Sequence, residues 1–165
     1  AGSVGVAAVG LLDAIGARSV VTSTSRAKLD RLVEIGADHA IESGDPDEIR
    51  AAVEEIGAVD AVLNHLSGPF TQVGLDVLRR DGTMAICGQT AGSEVTIDIL
   101  PMYLEHKSVV GSTCGTQGDL RRAVELISTG DLDPVVGDRY QLEGTAEAFR
   151  DLRDRESFGS LIVEP

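Results

Sequence analysis

The sequence contains no tryptophan, and tyrosine and phenylalanine bring its aromatic content to only 3%. It also has no apolar run near the ~18 residues that a membrane-spanning helix needs. A signal peptide is not expected, because Gly10 and Asp13 interrupt the first apolar stretch and no basic segment precedes it. With 42% hydrophobic and 25% charged residues, the composition is close to that of globular proteins. We therefore predict a soluble, cytoplasmic protein with no membrane partner.

Cysteine and histidine are too few and too scattered to indicate a metal centre. Cys87 and Cys114 lie far apart, without a Cys-x-x-Cys motif, which argues against a disulfide framework and a zinc knuckle. We predict that both are buried thiols in a reducing cytoplasm. The three histidines, His39, His65 and His106, are not spaced to bind a metal together. No metal ligand is therefore assigned within this chain.

Lysine is almost absent, since twelve arginines accompany only two lysines, Lys28 and Lys107. Against 27 acidic residues, these cations leave a formal net charge of −13. Such a charge repels nucleic acid and anionic lipid, so neither is an expected partner. The acidic surface fits either a salt-adapted organism or an acidic protein from a GC-rich genome, and the sequence leaves both explanations open.

Segments with helical and strand patterns alternate along the whole chain. The predicted strands cover 19–23, 38–41, 59–66, 83–88, 108–113, the DRYQL segment and 160–164, with a further extended segment at 94–99. The predicted helices run from the start to about residue 16, then over 26–36, 45–57, 68–80, 117–130 and 145–155, with a short one from Pro101. This alternation predicts an α/β fold: a Rossmann-like, doubly wound, mostly parallel sheet with helices on both faces, in a single domain over residues 1–165.

The opening stretch AGSVG carries two glycines, Gly2 and Gly5, at the spacing of the second and third glycines of a dinucleotide-binding Gly-x-Gly-x-x-Gly turn. The first glycine and its strand do not precede them, so we expect the first strand of the sheet to be truncated. A helix that begins here would offer free N–H groups and a partial positive charge to a pyrophosphate. The same residues also fit an ordinary helix that contains glycine.

The end of the first predicted strand has hydroxyl and basic side chains where an NAD site usually has an acid. The candidate ligands there are Ser23, Thr24, Ser25, Arg26 and Lys28. They suit a 2′-phosphate, because arginine forks onto phosphate oxygens and lysine adds a point charge. This pattern favours NADP over NAD. The alternative is a serine- and threonine-rich turn that caps the next helix and leaves both cations in solvent.

Four segments, in this order and spacing, resemble the cofactor domain of the medium-chain dehydrogenases/reductases, the alcohol dehydrogenase and quinone oxidoreductase superfamily. They are the first 41 residues, VDAVLNHLSG, LRRDGTMAICGQTAG and ESFGSLIVEP, and together they extend over essentially the whole chain. The resemblance implies an NADP(H)-dependent oxidoreductase that transfers hydride between nicotinamide and a carbonyl or alcohol, with NAD the less favoured cofactor.

The resemblance also implies roles for individual residues. Those implied to bind cofactor are Gly2, Ser3, Val4 and Gly5 at the pyrophosphate, Ser23 where the family chooses NAD or NADP, Arg26 and Lys28 at the 2′-phosphate, Asn64, His65, Leu66, Cys87, Gly88 and Gln89 around the riboses, and Ser112 and Thr113 near the carboxamide. Ser160 departs from the pattern, because the family often has a basic residue there. That anion contact is therefore not carried over.

The family has its catalytic half on the N-terminal side of this domain, so the resemblance implies that zinc, if used, and the proton relay belong to an absent N-terminal domain. The small-molecule substrate would bind there, and the present chain alone would be inactive. The strand at 108–113 is similar to one that the family uses to pair sheets across a dimer. A homodimer or tetramer is therefore expected.

Three other functions stay open at this point. A zinc-free quinone or enone reductase of the same superfamily would use the same cofactor domain. A regulatory domain could bind NADP without chemistry. A methyltransferase is disfavoured, because the position of Ser23 would normally hold an acid.

Overall fold

The computed structural model describes residues 1–165, and helices and strands alternate throughout, as an α/β fold requires. The helices are α1 (Ser3–Ala14), α2 (Arg26–Glu34), α3 (Pro46–Ile56), α4 (Phe70–Val77), α5 (Ile99–Leu104), α6 (Gln117–Thr129) and α7 (Thr145–Arg153), with a 3₁₀ turn at Leu142–Gly144. The strands are β1 (Val20–Ser23), β2 (His39–Glu42), β3 (Val59–Asn64), β4 (Leu78–Ile86), β5 (Ser108–Gly111), β6 (Val136–Gln141) and β7 (Ser160–Glu164).

The chain forms two compact units. Unit one contains residues 1–42 and 116–165, and unit two contains residues 43–115. In unit one, β1 pairs with β2 and β6 pairs with β7; in unit two, β4 lies between β3 and β5. All of these pairings are parallel, which confirms the predicted strand direction.

The core of unit one brings α1, α2 and the end of the chain together. Val6 of α1 and Leu29 of α2 are buried in one cluster with Phe158, which is only 3% exposed. The guanidinium of Arg31 lies 3.8 Å from the centre of the Phe158 ring. This cation–π contact attaches α2 to the segment that precedes β7.

The core of unit two forms around Met84, which is fully buried against Leu75 and Leu78. The helix predicted over 68–80 ends earlier, at Val77, and β4 starts with Leu78. Leu78 lies in the sheet because it pairs with Val59. Local helical periodicity could not show this pairing, so the predicted boundary was wrong.

Two predicted helix ends are confirmed by their caps. The Asp45 side chain accepts the N–H groups of Asp47 and Glu48 at 2.9 and 3.1 Å and starts α3 ahead of Pro46. Gly130 ends α6 in the left-handed conformation, with φ of 81°. The short helix α5 begins at Ile99 rather than at Pro101, because Asp98 caps it.

Both cysteines are exposed, so the prediction of two buried thiols was wrong. Cys87 directly follows the last residue of β4, and Cys114 lies a few residues beyond β5. Each thiol therefore belongs to a loop after a strand and not to the buried part of the sheet. None of the helices has both the length and the apolar character needed to cross a bilayer.

We predict that Asp45→Ala lowers the free energy of unfolding by about 1 kcal/mol, because two N–H groups at the start of α3 lose their acceptor. Urea denaturation followed by circular dichroism measures the change. Asp45→Asn keeps a side-chain oxygen and should stay close to wild type. Equal stability of the alanine variant would contradict the capping role.

Candidate functional site

The start of α1, in unit one, has backbone N–H groups with no acceptor within the helix, and these could contact an anion. Gly2 is the N-cap residue, no side chain caps the helix, and its first turn contains no acidic residue. The first N–H to find an acceptor within the helix is that of Val6, which donates to the carbonyl of Gly2 at 3.0 Å. The N–H groups before it, together with the helix dipole, favour a negative ligand.

Gly2 and Gly5 belong to residues 1–5, which we call the glycine turn. Packing within the chain does not require either glycine. A Cβ atom at Gly2 or Gly5 would meet no other atom within 4 Å, and neither residue has a positive φ. The space beside them is therefore open. Because glycine has no side chain, a ligand could approach the backbone closely at Gly2 and Gly5.

The turn is held from the other end of the sequence by residues 155–159, which we call the C-terminal clasp. Gly2 forms a parallel bridge with Gly159, and the N–H of Gly159 donates to the carbonyl of Ala1 at 3.3 Å. Gly159 has a φ of 73°, a conformation that favours glycine. The position of the glycine turn thus depends on this distant segment.

Hydroxyl and basic side chains follow one another in the chain at the end of β1 and the start of α2. The hydroxyl of Ser23 accepts the N–H of Ser25 at 3.2 Å, which forms a local turn before α2. Arg26 pairs with Asp30 at 2.9 Å, and both side chains are more than half exposed. An exposed pair of this kind is weak, so Arg26 can exchange Asp30 for a stronger anion at small cost.

Lys28 is not left in solvent, in contrast to the alternative considered from the sequence. Its ammonium donates to the backbone carbonyl of Arg155 and, at 2.8 Å, to that of Ser157. Both acceptors belong to the C-terminal clasp. Because 127 and 129 residues separate the partners, no local sequence signal could have shown this contact.

In unit two, buried Asn64 organises the loop that follows β3. Its Oδ1 accepts the N–H groups of Leu66 and Ser67 at 3.1 and 2.8 Å, and its Nδ2 donates to Thr71 Oγ1 at 3.3 Å. Asn64 is thereby fixed, and the loop turns sharply at Ser67, where φ is 57°. Ser67 and Thr71 were not among the predicted site residues, although their short spacing from Asn64 is a signal for such a turn.

The loops after β3 and β4 are in direct contact. The Cys87 N–H donates to the Asn64 carbonyl at 3.0 Å, and the Ser67 hydroxyl donates to the Gly88 carbonyl at 2.6 Å. A Cβ at Gly88 would lie 2.4 Å from the carbonyl oxygen of His65, so the approach of the two backbones requires glycine. The structure therefore brings two predicted groups together, at 64–66 and 87–89.

The third predicted group of unit two follows β5. The N–H of Ser112 donates to the carbonyl of Ile86 at 2.9 Å and extends the pairing of β5 with β4. Thr113 is exposed and contacts Cys114 through its hydroxyl. The ends of three parallel strands thus lie side by side, and each carries predicted site residues.

His65 is the histidine placed within this group. Its side chain is half-buried, and burial lowers the pKa of His65 from its ordinary value of 6.5. The imidazole is therefore neutral at pH 7. A neutral ring can donate one hydrogen bond and accept another, which suits contact with a hydroxyl group.

The side chains of this chain do not build a metal centre. No group of three or more His, Cys, Asp or Glu residues is arranged to hold an ion in residues 1–165.

We predict that Gly88→Ala lowers the free energy of unfolding by about 1–3 kcal/mol, because the new methyl group would collide with the His65 carbonyl. Gly111→Ala is the matched control, since a Cβ there meets nothing within 4 Å. Chemical denaturation of both variants measures the effect. Equal stabilities would show that the two loops do not require this close approach.

A second prediction concerns pH. Because the pKa of His65 is lower in the folded than in the unfolded chain, its contribution to stability is complete above about pH 6.5 and is lost as the pH falls. The His65 imidazole should titrate below 6.5 in an NMR titration. His65→Gln should reduce the loss of stability between pH 7.5 and 5. A midpoint at or above the ordinary value would contradict this expectation.

A comparison with protein families gives a match over most of this structure. The model described as "Zinc-binding dehydrogenase" matches residues 3–129. That range includes residues 3–5 at the start of α1, the cluster after β1 and all three strand ends of unit two.

Individual relatives agree with this match. The NDMA-dependent alcohol dehydrogenase of Amycolatopsis methanolica is 31% identical over an alignment of 176 positions, which covers 98% of this chain and 47% of that protein. The acryloyl-coenzyme A reductase of Sulfurisphaera tokodaii is 24% identical over 165 residues. The alignment covers 99% of this chain and 48% of that protein. The chain spans about half the length of the curated relatives that it matches.

Solved structures confirm the Rossmann-like fold. A structure described as an NAD-dependent alcohol dehydrogenase superposes with a TM-score of 0.82 at 28% identity, covering 99% of this chain and 50% of that one. A protein from Sinorhizobium meliloti 1021 superposes with a TM-score of 0.88 at 30% identity. The superposition covers 99% of this chain and 45% of that one. The predicted resemblance and fold class are therefore both confirmed.

Proposed function

We propose that this chain, which belongs to the zinc-binding dehydrogenase family, is the NADP(H)-binding part of an oxidoreductase that transfers hydride between nicotinamide and a carbonyl or alcohol. The observation that carries the proposal is the start of α1, which has no side-chain cap, no acid in its first turn and open space beside both glycines. A pyrophosphate fits these properties.

The side chains at the end of β1 support NADP over NAD. No carboxylate occupies the position of Ser23, where it would accept a hydrogen bond from a ribose 2′-hydroxyl. Arg26 is exposed beside it and has only a weak ion pair with Asp30 to give up. A 2′-phosphate would supply the stronger partner.

We propose that the remaining predicted residues also bind the cofactor. In unit one these are Gly2, Ser3, Val4 and Gly5 at the pyrophosphate, and Ser23, Thr24, Ser25, Arg26 and Lys28 at the 2′-phosphate. In unit two they are Asn64, His65, Leu66, Cys87, Gly88, Gln89, Ser112 and Thr113, which present backbone groups and neutral side chains to ribose and carboxamide. Bound nicotinamide supplies the hydride chemistry, and these residues supply binding and orientation.

Substrate binding and proton transfer are proposed to lie outside this chain. We infer that residues 1–165 act as one cofactor-binding domain of an enzyme whose catalytic domain is N-terminal to it, as the half-length coverage of the relatives supports. The side chains present here build no zinc site, so no step is assigned to a metal in this chain.

The proposed oligomer uses β5. This strand pairs with only β4 in its sheet, and Val110 is 50% exposed. An outer strand can extend its sheet by pairing with a second copy, which supports a homodimer or tetramer formed through residues 108–113.

One relative favours a second candidate within the family. The acryloyl-coenzyme A reductase of S. tokodaii acts, by its name, on an activated alkene. The alternative function is therefore reduction of an enone or enoyl thioester, with the same cofactor contacts. The two functions are separated by incubating the full-length enzyme, which includes the proposed N-terminal catalytic domain, with NADPH and either an aldehyde or an enoyl thioester. Absence of turnover with both substrates would favour a domain that only senses NADP.

Titration of the intact protein, followed by nicotinamide fluorescence, tests the cofactor assignment. We predict tighter binding of NADPH than of NADH. Arg26→Gln should weaken NADPH binding by about tenfold, because a charge-assisted contact to phosphate is lost, and should leave NADH binding almost unchanged.

Arg122→Gln is the matched control, since it removes the same charge from an exposed position on α6. It should change neither affinity. Equal or tighter binding of NADH by the wild type would overturn the assignment of NADP, and failure to bind either nucleotide would overturn the proposed function.

A further inference from the structure

Both lysines of this chain use their ammonium groups to hold backbone carbonyls. Lys107 donates to the Leu75 carbonyl at 2.7 Å, and its side chain is only 5% exposed. Lys28 donates to the carbonyls of Arg155 and Ser157. In a sequence with twelve arginines, the two lysines are found where a compact ammonium meets main-chain oxygen.

The acceptors of Lys28 belong to the C-terminal clasp, which other contacts also fix. The Phe158 ring is buried in the core of unit one beneath Arg31 of α2, and Ser157 is buried beside it. Arg155 and Gly159, the two ends of the clasp, have φ values of 59° and 73°. Such turned backbone needs contacts to hold it in place, and Lys28 supplies two of them.

The clasp in turn holds the glycine turn. Gly159 bridges Gly2 and donates its N–H to the carbonyl of Ala1. A continuous set of contacts therefore runs from the ammonium of Lys28, through residues 155–159, to the start of α1.

From these contacts we infer that Lys28 is a positioning residue for the pyrophosphate-binding turn, in addition to being near the 2′-phosphate. This inference rests on the proposed function, because it concerns the same nucleotide. The ammonium places the clasp, and the clasp places the N–H groups that would contact the pyrophosphate. Since NADPH and NADH have the same pyrophosphate, the effect of Lys28 extends to both.

This role differs in its consequences from that of a 2′-phosphate ligand. A residue that contacts only the 2′-phosphate changes NADPH binding and has no effect on NADH. A residue that positions the glycine turn changes both affinities by a similar factor. Arg26, which makes no contact with the clasp among its hydrogen bonds, serves as the reference for the first kind of residue.

The test compares Lys28→Met, Lys28→Gln and Arg26→Gln in the intact protein. Lys28→Met keeps the length of the side chain but donates no hydrogen bond, so we expect both NADPH and NADH to bind about tenfold more weakly. Lys28→Gln keeps amide donors for the clasp but has no charge for a phosphate. It should recover part of the NADH affinity that Lys28→Met loses, and it serves as the folded reference if the methionine variant is unstable.

Phosphorus NMR of bound NADP⁺ gives a readout that loss of stability alone would not produce. Lys28→Met should shift the pyrophosphate resonances, whereas Arg26→Gln should shift the 2′-phosphate resonance. Unchanged NADH affinity in Lys28→Met, or a shift confined to its 2′-phosphate resonance, would overturn the inference. Failure of the wild type to bind either nucleotide would instead overturn the proposed function itself.

Discussion

Every strand of this structure pairs in parallel with its neighbour, and this direction of pairing decides which loops lie side by side. Each parallel pair needs a crossover segment, and in this chain every such segment contains a helix. Parallel strands also end at the same edge, so the loops after β3, β4 and β5 become neighbours in unit two. The hydrogen bonds of Asn64 and Ser67 exist because this geometry brings those loops together. Polar side chains that follow separate strands thus form one surface without any repeat or motif in the sequence.

Features with a local cause could be predicted from the sequence, and features with a distant cause could not. Asp45 and Gly130 define helix ends through their own side chain or backbone conformation, and both predictions are confirmed. The boundary between α4 and β4 was wrong because Leu78 follows its partner in the sheet rather than the helical pattern. The exposed cysteines were missed for a similar reason, since burial depends on where a strand ends.

The residues of the candidate site also fall into those with a local cause in the sequence and those with a distant one. The glycine turn and the hydroxyl-rich strand end are adjacent residues with a recognisable order, so the sequence could indicate them. The contacts of Lys28 join residues 127 and 129 positions apart, and nothing near Lys28 in the sequence specifies them. Residues proposed to bind a ligand through local backbone geometry are therefore accessible to sequence reasoning, whereas those that hold this geometry in place become visible only in the structure.

For an acidic chain that is proposed to bind an anionic nucleotide, the charge near the site matters more than the net charge. The net charge of −13 repels a phosphate at a distance, but salt at physiological strength screens that repulsion beyond about 8 Å. At contact, the N–H groups and dipole of α1 act without any carboxylate in the first turn to oppose them. Backbone groups do not move independently of the fold, so their orientation depends on whatever fixes Gly2, and in this chain that is Gly159. For the proposed cofactor, affinity would therefore depend less on the number of basic side chains than on how firmly residues 155–159 are held.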